Sequence, residues 1–325
     1  MTYAFRPNAI IEIAGQSLSA AESGLHELTV TLGLGCHGRA EMTFWPSSKF
    51  ANATEGEPVE ISIGPEGDEV AVLTGQVLAR SQTTDRLVIE ALDASGPLSR
   101  ARSAITFEDS SIADIVERIA GESEVSANAD GSDTLSIYYV VPQRPLWDHL
   151  RELARLSDRD LSVDADGVLL FQPDGQGDSH NLRYGAELMG WSVSKADAPL
   201  PATFAAHGTA GESGNWHWVG TDPLGEDPGL ARIFGAFADR SVADVASEAS
   251  STAAARAMIH GCVLVTGNPA IRPADSATLE GLPGGDPDPL RVRGVTHRMD
   301  GATGFVTCLE IEGGGAGGGL LGGLL

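Results

Sequence analysis

The chain has 325 residues, 42% of them hydrophobic, and a formal net charge of −24 with a pI near 4.5. That length predicts two or three domains, and the apolar content excludes wholesale disorder. The acidity argues against recognition of nucleic-acid backbones and against docking on anionic lipid, both of which need basic patches.

Only Lys49 and Lys195 among the 21 basic residues are lysines. The opening MTYAFRPNAIIEIAG has neither a long apolar core nor a small-residue cleavage site, so no signal peptide is predicted and synthesis is expected in the cytoplasm. No run approaches the ~20 apolar residues of a membrane span. Cys36, Cys262 and Cys308 lie far apart in apolar or glycine-rich surroundings. Buried free thiols are expected there, ahead of a disulfide framework or a zinc site.

In chain order, Ile10–Ile13, Glu27–Leu32, Ala40–Trp45, Val59–Ile63, Val70–Ala79 and Arg86–Ala91 alternate or run apolar between Gly, Pro, Ser and Asp clusters. Six such strands predict a small antiparallel barrel or sandwich. Ser111 and Asp114 then form a capping-box pattern ahead of Ile112, Ile115, Val116 and Ile119, the spacing of an amphipathic helix ending near Gly121. A strand over Ser136–Val141 follows. Pro145 opens a second helix with Leu146, Leu150 and Leu153 on one stripe. Leu161–Val163 and Val168–Phe171 read as a hairpin around Asp164–Gly167, and the Gly/Asp-rich stretch Pro173–His180 reads as a link. Beyond it, strands are predicted over Trp191–Val193, Ala202–His207 and Asn215–Val219, with a loop over 220–229. An alanine-rich helix covers Ser241–His260, and four closing strands span Gly261–Thr266, Ser276–Glu280, Leu290–His297 and Phe305–Glu312. The last residues, GGGAGGGLLGGLL, have no fixed backbone of their own.

Motifs that would announce an enzyme fail on context. Gly33–Gly38 matches GxGxxG, but the following segment alternates like a strand. A dinucleotide loop must instead open a helix, so a glycine-rich hairpin is expected. Asp158, Asp160, Asp164 and Asp166 with Gly167 resemble a calcium loop. In that register, however, Ser162 and Pro173 fall where Asp and a bidentate Glu are required, so no metal site is expected. GxSxG, HExxH and P-loop patterns are absent from the sequence, and no cofactor or catalytic residue is predicted. In Trp216-His217-Trp218, alternation places both tryptophans on one sheet face, suited to a core or a protein interface. Leu320, Leu321, Leu324 and Leu325 end either a flexible tail or a segment that orders on a partner. Each leucine buried would contribute roughly 1.5–3 kcal/mol, and the four together would offset the ordering cost of a short tail with little surplus.

Two separated stretches carry a resemblance. Ile105-Thr-Phe-Glu-Asp-Ser-Ser-Ile-Ala-Asp-Ile-Val, Tyr139–Gln143, Trp147–Ala154 and Gly167–Phe171 form the first. Gly267–Gly281, Val292–His297 and Gly304–Leu309 form the second. Together they resemble the late control protein D family and the hub portion of VgrG proteins; 208–260 matches only loosely. The resemblance implies a mainly β fold with two tail-tube-like antiparallel β-barrels and a small α/β domain. Residues 1–101 would be the first barrel, 102–180 the α/β insertion, 181–312 the second barrel with a helical segment, and 313–325 the tail. It further implies a homotrimeric, pseudo-hexameric baseplate hub in a virion or injection particle. Its partners would be the inner tube protein, a spike protein and other baseplate subunits. A full VgrG continues into an oligosaccharide-binding-fold domain and a β-helical spike, so the spike is expected to be a separate protein. The rival functions are a tail-associated cell-wall-degrading enzyme and a host-binding adhesin. Trp216, Trp218, Leu320, Leu321, Leu324 and Leu325 are the candidate partner-contact residues.

Overall fold

A computed structural model describes residues 6–196, 203–209, 218–220, 230–234 and 240–314, with side chains from 203 to 241 left undescribed. The chain begins with a tight hairpin of β1 (Pro7–Ile13) and β2 (Gln16–Ser19). Its two turn residues, Ala14 and Gly15, both have positive φ, the conformation that matches a hairpin to strand twist. A single helical turn, α1 (Ala20–Ser23), carries a complete capping box: Glu22 N–H donates to Ser19 Oγ and Ser19 N–H donates to Glu22 Oε2. Then come β3 (Leu25–Gly33), β4 (Arg39–Phe44), β5 (Pro58–Pro65), β6 (Val70–Gln82) and β7 (Leu87–Asp93). Burial alternates along most of them, most regularly in β7, and their inward faces fill a core that includes Ile11, Leu28, Met42, Ile61 and Ile89; β6 departs, with adjacent Val72 and Leu73 both buried at a bulge.

The GxGxxG segment is a hairpin, with Thr31 facing Arg39 across antiparallel β3 and β4. Gly38 N–H donates to Asp93 Oδ2 at 2.6 Å, and a Cβ on Gly38 would sit 2.6 Å from that same oxygen. Any side chain there would displace the carboxylate that this N–H holds. Burial pushes the Asp93 carboxyl up to about 6, against the hydrogen bonds it accepts from Ser95 and Gly38.

The middle of the chain contains α2 (Gly96–Arg100), β8 (Ile105–Ser111), α3 (Ile112–Gly121), β9 (Ala127–Ala129), β10 (Thr134–Val140), α4 (Leu146–Ser157), β11 (Arg159–Val163) and β12 (Leu169–Pro173). Ser111 Oγ accepts from the Asp114 N–H at 3.1 Å, which fixes the start of α3. The apolar stripes of α3 and α4 meet Leu161, Leu169 and Phe171 in a second core. The Asp164–Gly167 turn is an Asx turn: Asp164 Oδ1 accepts from the Asp166 and Val168 N–H groups, and Gly167 takes φ +84°.

The last part comprises β13 (Ser179–Arg183), β14 (Leu188–Lys195), β15 (Thr203–Thr209), β16 (Trp218–Gly220), β17 (Leu230–Phe234), α5 (Arg240–Ala257), β18 (Ile259–Thr266), β19 (Ser276–Glu280), β20 (Leu290–Asp300) and β21 (Gly304–Gly313). β15, β16 and β17 form a sheet of their own. The others join the first seven strands in one thirteen-stranded sheet, ordered β14-β18-β21-β20-β3-β4-β7-β6-β5-β1-β2, with β19 pairing β20 and β13 pairing β19. The sheet is largely antiparallel and curls into a half-barrel. A third core, with Val263, Val265, Leu279, Val295 and Leu309, lies on its far half.

The seam of this sheet is the antiparallel pairing of β3 with β20, from Gly33 opposite Gly294 to Glu27 opposite Asp300. Arg272 adds a second tie, donating from its guanidinium to the carbonyls of Ala71 and Val72 on β6.

Besides the short elements β2, α1, α2, β9 and β17, which were not expected, the structure departs from the sequence expectations in four places. β18 starts at Ile259 and α5 stops at Ala257, where the alanine-rich pattern predicted helix through His260. The Pro173–His180 link yields its last two residues to β13, a strand that is parallel to β19 and too polar to announce itself. Helix α3 starts on a Ser111 cap in which Ser111 Oγ also donates to Asp114 Oδ2, whereas the full reciprocal box belongs to Ser19 and Glu22. Finally, the cysteines are not buried: Cys36 and Cys262 are exposed and Cys308 is half-buried. The apolar neighbours of Cys262 and Cys308 supply the core side of β18 and β21, and strand alternation turns the two thiols to the other face.

Candidate interaction surfaces

Where the middle segment meets the curled sheet, the carboxylates that follow α4 meet arginines from α5 and β20. Asp158 caps α4 in the left-handed region with φ +49°, and Asp160 follows on β11. Asp174 comes just after β12. Two buried arginines reach them from the other side. Arg291 on β20 donates Nε–H to Asp174 Oδ1 at 2.9 Å and pairs with Asp160 and Glu312 through its other nitrogens. Arg256, near the end of α5, pairs with Asp158 Oδ1 at 2.9 Å and Asp174 Oδ2 at 2.7 Å. Asp174 therefore bridges both guanidinium groups.

Burial works against the Arg291 charge, but Asp160, Glu312 and Asp174 outweigh it and hold the guanidinium protonated. Burial raises the Asp160 carboxyl above the usual range even though Arg291 pulls it down. Asp160 Oδ2 and Arg256 Nε are buried without a hydrogen-bond partner.

This network forms the floor of a cleft of about 670 Å³. Seven arginines line it, at 144, 151, 155, 159, 256, 291 and 293, against five carboxylates, at 148, 152, 158, 160 and 312. A third of the chain's 21 basic residues thus face one hollow of a protein with net charge −24. The carboxylates are taken up by pairs such as Arg144–Glu152 and the buried network. Arg155 and Arg293 are exposed and form no ion pair among the described residues. The arrangement is suited to holding carboxylates or other anions, because guanidinium forks bind planar oxyanions bidentately.

The cleft wall also contains the loop of the GxGxxG hairpin. Gly35 N–H donates to Leu161 O at 2.7 Å, and His37 stacks on Trp147 with ring centroids 4.6 Å apart. His37 Nδ1 lies 2.6 Å from Ser95 Oγ, and burial lowers its pKa. The glycines therefore serve to lay this loop against the middle segment.

A second surface lies at the end of the sheet. Among the described residues β14 is the terminal strand, paired with β18 and touched otherwise only by a bridge from Tyr184 to Leu188, and it exposes Met189 and Trp191. An unpaired strand edge beside exposed apolar side chains is a template for another chain. Among the described residues no group of three or more His, Cys, Asp or Glu side chains is placed to hold a metal ion, and no helix is long and apolar enough to cross a membrane.

Of the residues nominated from sequence, Trp216, Leu320, Leu321, Leu324 and Leu325 lie outside the described residues. Trp218 begins β16, where only the backbone is described. The surfaces above were missed in sequence because the arginines are scattered from 144 to 293, with no local spacing to unite them. The one available signal was the almost exclusive use of arginine over lysine.

Residues 36–207, just over half of the chain, match the Alg8 N-terminal domain. The chain belongs to the Alg8 N-terminal domain family. The match runs from the β3–β4 hairpin through the middle segment into β15. No curated protein sequence matches the chain. In fold, it is similar to solved tail proteins along nearly its whole length. The 43 kDa tail protein of prophage MuSo2 from Shewanella oneidensis superposes with a TM-score of 0.70 at 14% identity, covering 94% of this chain and 98% of that one. A tail protein from Neisseria meningitidis gives 0.71 at 10% identity, covering 95% and 97%. An Escherichia coli component of the type VI secretion system gives 0.63 at 12% identity, covering 93% and 76%. The mainly antiparallel tail-protein fold expected from sequence is therefore present. The family named by the match is not late control protein D; the finding that bears on that resemblance is the wider likeness to phage tail and VgrG-like structures.

Proposed function

We propose that this protein is a structural subunit of a phage tail or of a related injection machine, and within it the baseplate hub. In this reading three copies close into a pseudo-hexameric ring that joins the inner tube to a spike protein, and the protein catalyses no reaction. The observation that carries the reading is the shared fold over 94–95% of the chain with two tail proteins of nearly matching extent. The likeness to a type VI secretion component supports the wider class.

The titratable groups support a structural role. Asp93 holds a hairpin, Arg291 and Arg256 tie segments together, and the GxGxxG loop packs on Leu161 and Trp147. The division into a first barrel over 1–101, an α/β insertion over 102–180 and a second barrel over 181–312 belongs to the same proposal. So do Trp216, Trp218 and the four terminal leucines as partner contacts. To these we add the arginine-lined cleft, as the seat of a carboxylate-bearing segment from another baseplate subunit.

Co-expression with candidate tube and spike proteins, followed by sedimentation, tests the reading. A trimer that co-purifies with both is the expected result. A chain that stays monomeric at tens of micromolar and binds neither overturns it.

A further inference from the structure

Cys262 and Cys308 are 46 residues apart in sequence, yet their sulfur atoms lie 2.7 Å from one another. The positions explain the approach. β18 and β21 run antiparallel, with Cys262 opposite Glu310 and Leu264 opposite Cys308, so the two cysteines are diagonal neighbours on one face. That face is the one turned from the third core, whose side chains here are Val263, Val265, Leu309 and Ile311. No side chain or water fits between sulfurs so close, and Cys262 is exposed, so a small oxidant can reach the pair. Cys36 is also exposed, but it sits at the β3–β4 hairpin, on the opposite side of β20 from this pair.

We propose that Cys262 and Cys308 form an intramolecular disulfide in an oxidising medium, stapling β18 to β21, while Cys36 remains a free thiol. With oxidised glutathione as the oxidant, the Cys262 thiolate attacks one of its sulfurs. The glutathione S–S bond breaks and one glutathione leaves as a thiolate that takes up a proton. Cys308 then loses its proton and attacks the Cys262 sulfur, the mixed disulfide breaks, and the second glutathione leaves. Two protein thiols are oxidised and one glutathione disulfide is reduced to two glutathione molecules. Cys262 is exposed and Cys308 half-buried, so Cys262 is the residue that meets glutathione first, and burial keeps the Cys308 thiol above its ordinary range.

In a reducing cytoplasm the same exchange runs backward and the strands stay unlinked. The bond would therefore close only on leaving the cell. That timing rests on the proposed role in an exported particle, whereas bond formation itself does not. The closed loop contains β19 and β20, so the staple constrains the unfolded chain across the third core.

The test uses the full chain, purified with reductant and then exchanged into oxidised glutathione. Intact mass, alkylation after denaturation and peptide mapping are read, with thermal melts of the wild type and of Cys262→Ser and Cys308→Ser. The expected result is a loss of about 2 Da, a single alkylatable thiol at Cys36, and a linked pair of peptides containing Cys262 and Cys308. The wild-type melting point should rise by roughly 5–10 °C on oxidation and that of either variant should not. Three alkylatable thiols after oxidation, stable glutathione adducts on Cys262 and Cys308 without a link, or a bond that includes Cys36 would each overturn the proposal. A chain that forms the bond but binds neither tube nor spike sinks the hub reading and leaves this one standing.

Discussion

His297 sits on β20 at the seam of the sheet, fully buried, with Nδ1 3.0 Å from Thr307 Oγ1 and Nε2 without a partner. Burial and the charge of Arg272 push its pKa down to about 3. Because the folded value lies below the unfolded value of about 6.5, the folded state keeps the imidazole neutral while the unfolded chain takes up a proton. Stability from this group is thus fully present above about pH 6.5 and is lost as pH falls toward 3, at about 1.4 kcal/mol per pH unit. His297→Leu should flatten that dependence. Between pH 7 and pH 5, urea denaturation of the wild type should lose about 2 kcal/mol more than the variant; parallel pH profiles would show that His297 is not the titrating group. At this scale the sequence was only partly readable. His297 stood out as part of a matched stretch, but its burial depends on β3 and β21 closing over it. The cysteine error has the same origin. Apolar neighbours suggest burial, whereas the period of two in a strand makes them a sign of exposure for the residue between.

At the scale of elements, the buried network around Arg291 is where the middle segment is fastened to the sheet. One guanidinium serves Asp160, Asp174 and Glu312, which come from β11, the end of β12 and β21. Removing it strips Asp160 and Glu312 of this cation and leaves Asp174 to Arg256 alone, in a site with little solvent. Arg291→Met should therefore destabilise the protein by about 3–5 kcal/mol in chemical denaturation. Arg291→Lys, which keeps the charge but loses the fork, should fall between the two. A loss below about 1 kcal/mol for Arg291→Met would mean the carboxylates escape to water and the network fastens nothing. Most elements were legible: regular alternation fixed β4, β5, β7, β19 and β21, and the Ile and Leu spacing fixed α3 and α4. Their partners were not. Alternation tells a strand which face is buried but not that β3 will lie beside β20. Short strands such as β9 (Ala-Asn-Ala) and β13 (Ser-His-Asn-Leu-Arg) have no apolar period, because neighbouring strands supply their hydrogen bonds and burial.

For the whole molecule, charge gives the sharpest prediction. In the trimer proposed above, three copies at −24 each would carry a formal −72, so added salt should favour its assembly by screening their repulsion. The arginine cleft should respond in the opposite sense, because a carboxylate segment seated on Arg155 and Arg293 is held by an attraction that salt weakens. Raising sodium chloride from about 50 to 500 mM, which shortens the screening length from above 10 Å to below 5 Å, should therefore shift monomer toward trimer. Binding of a baseplate partner through the cleft should weaken over the same range. Arg155→Glu with Arg293→Glu separates the two effects. Both residues are exposed and unpaired among the described residues, so the double change should leave the melting point within about 2 °C. It should cut partner binding at least tenfold and leave the trimer intact, as read by sedimentation velocity and by titration of the labelled partner. If the double variant loses the trimer instead, the cleft is a contact between copies of this chain. The acidic surface of one protomer would then meet the arginines of the next, and the assignment of the cleft to another subunit fails.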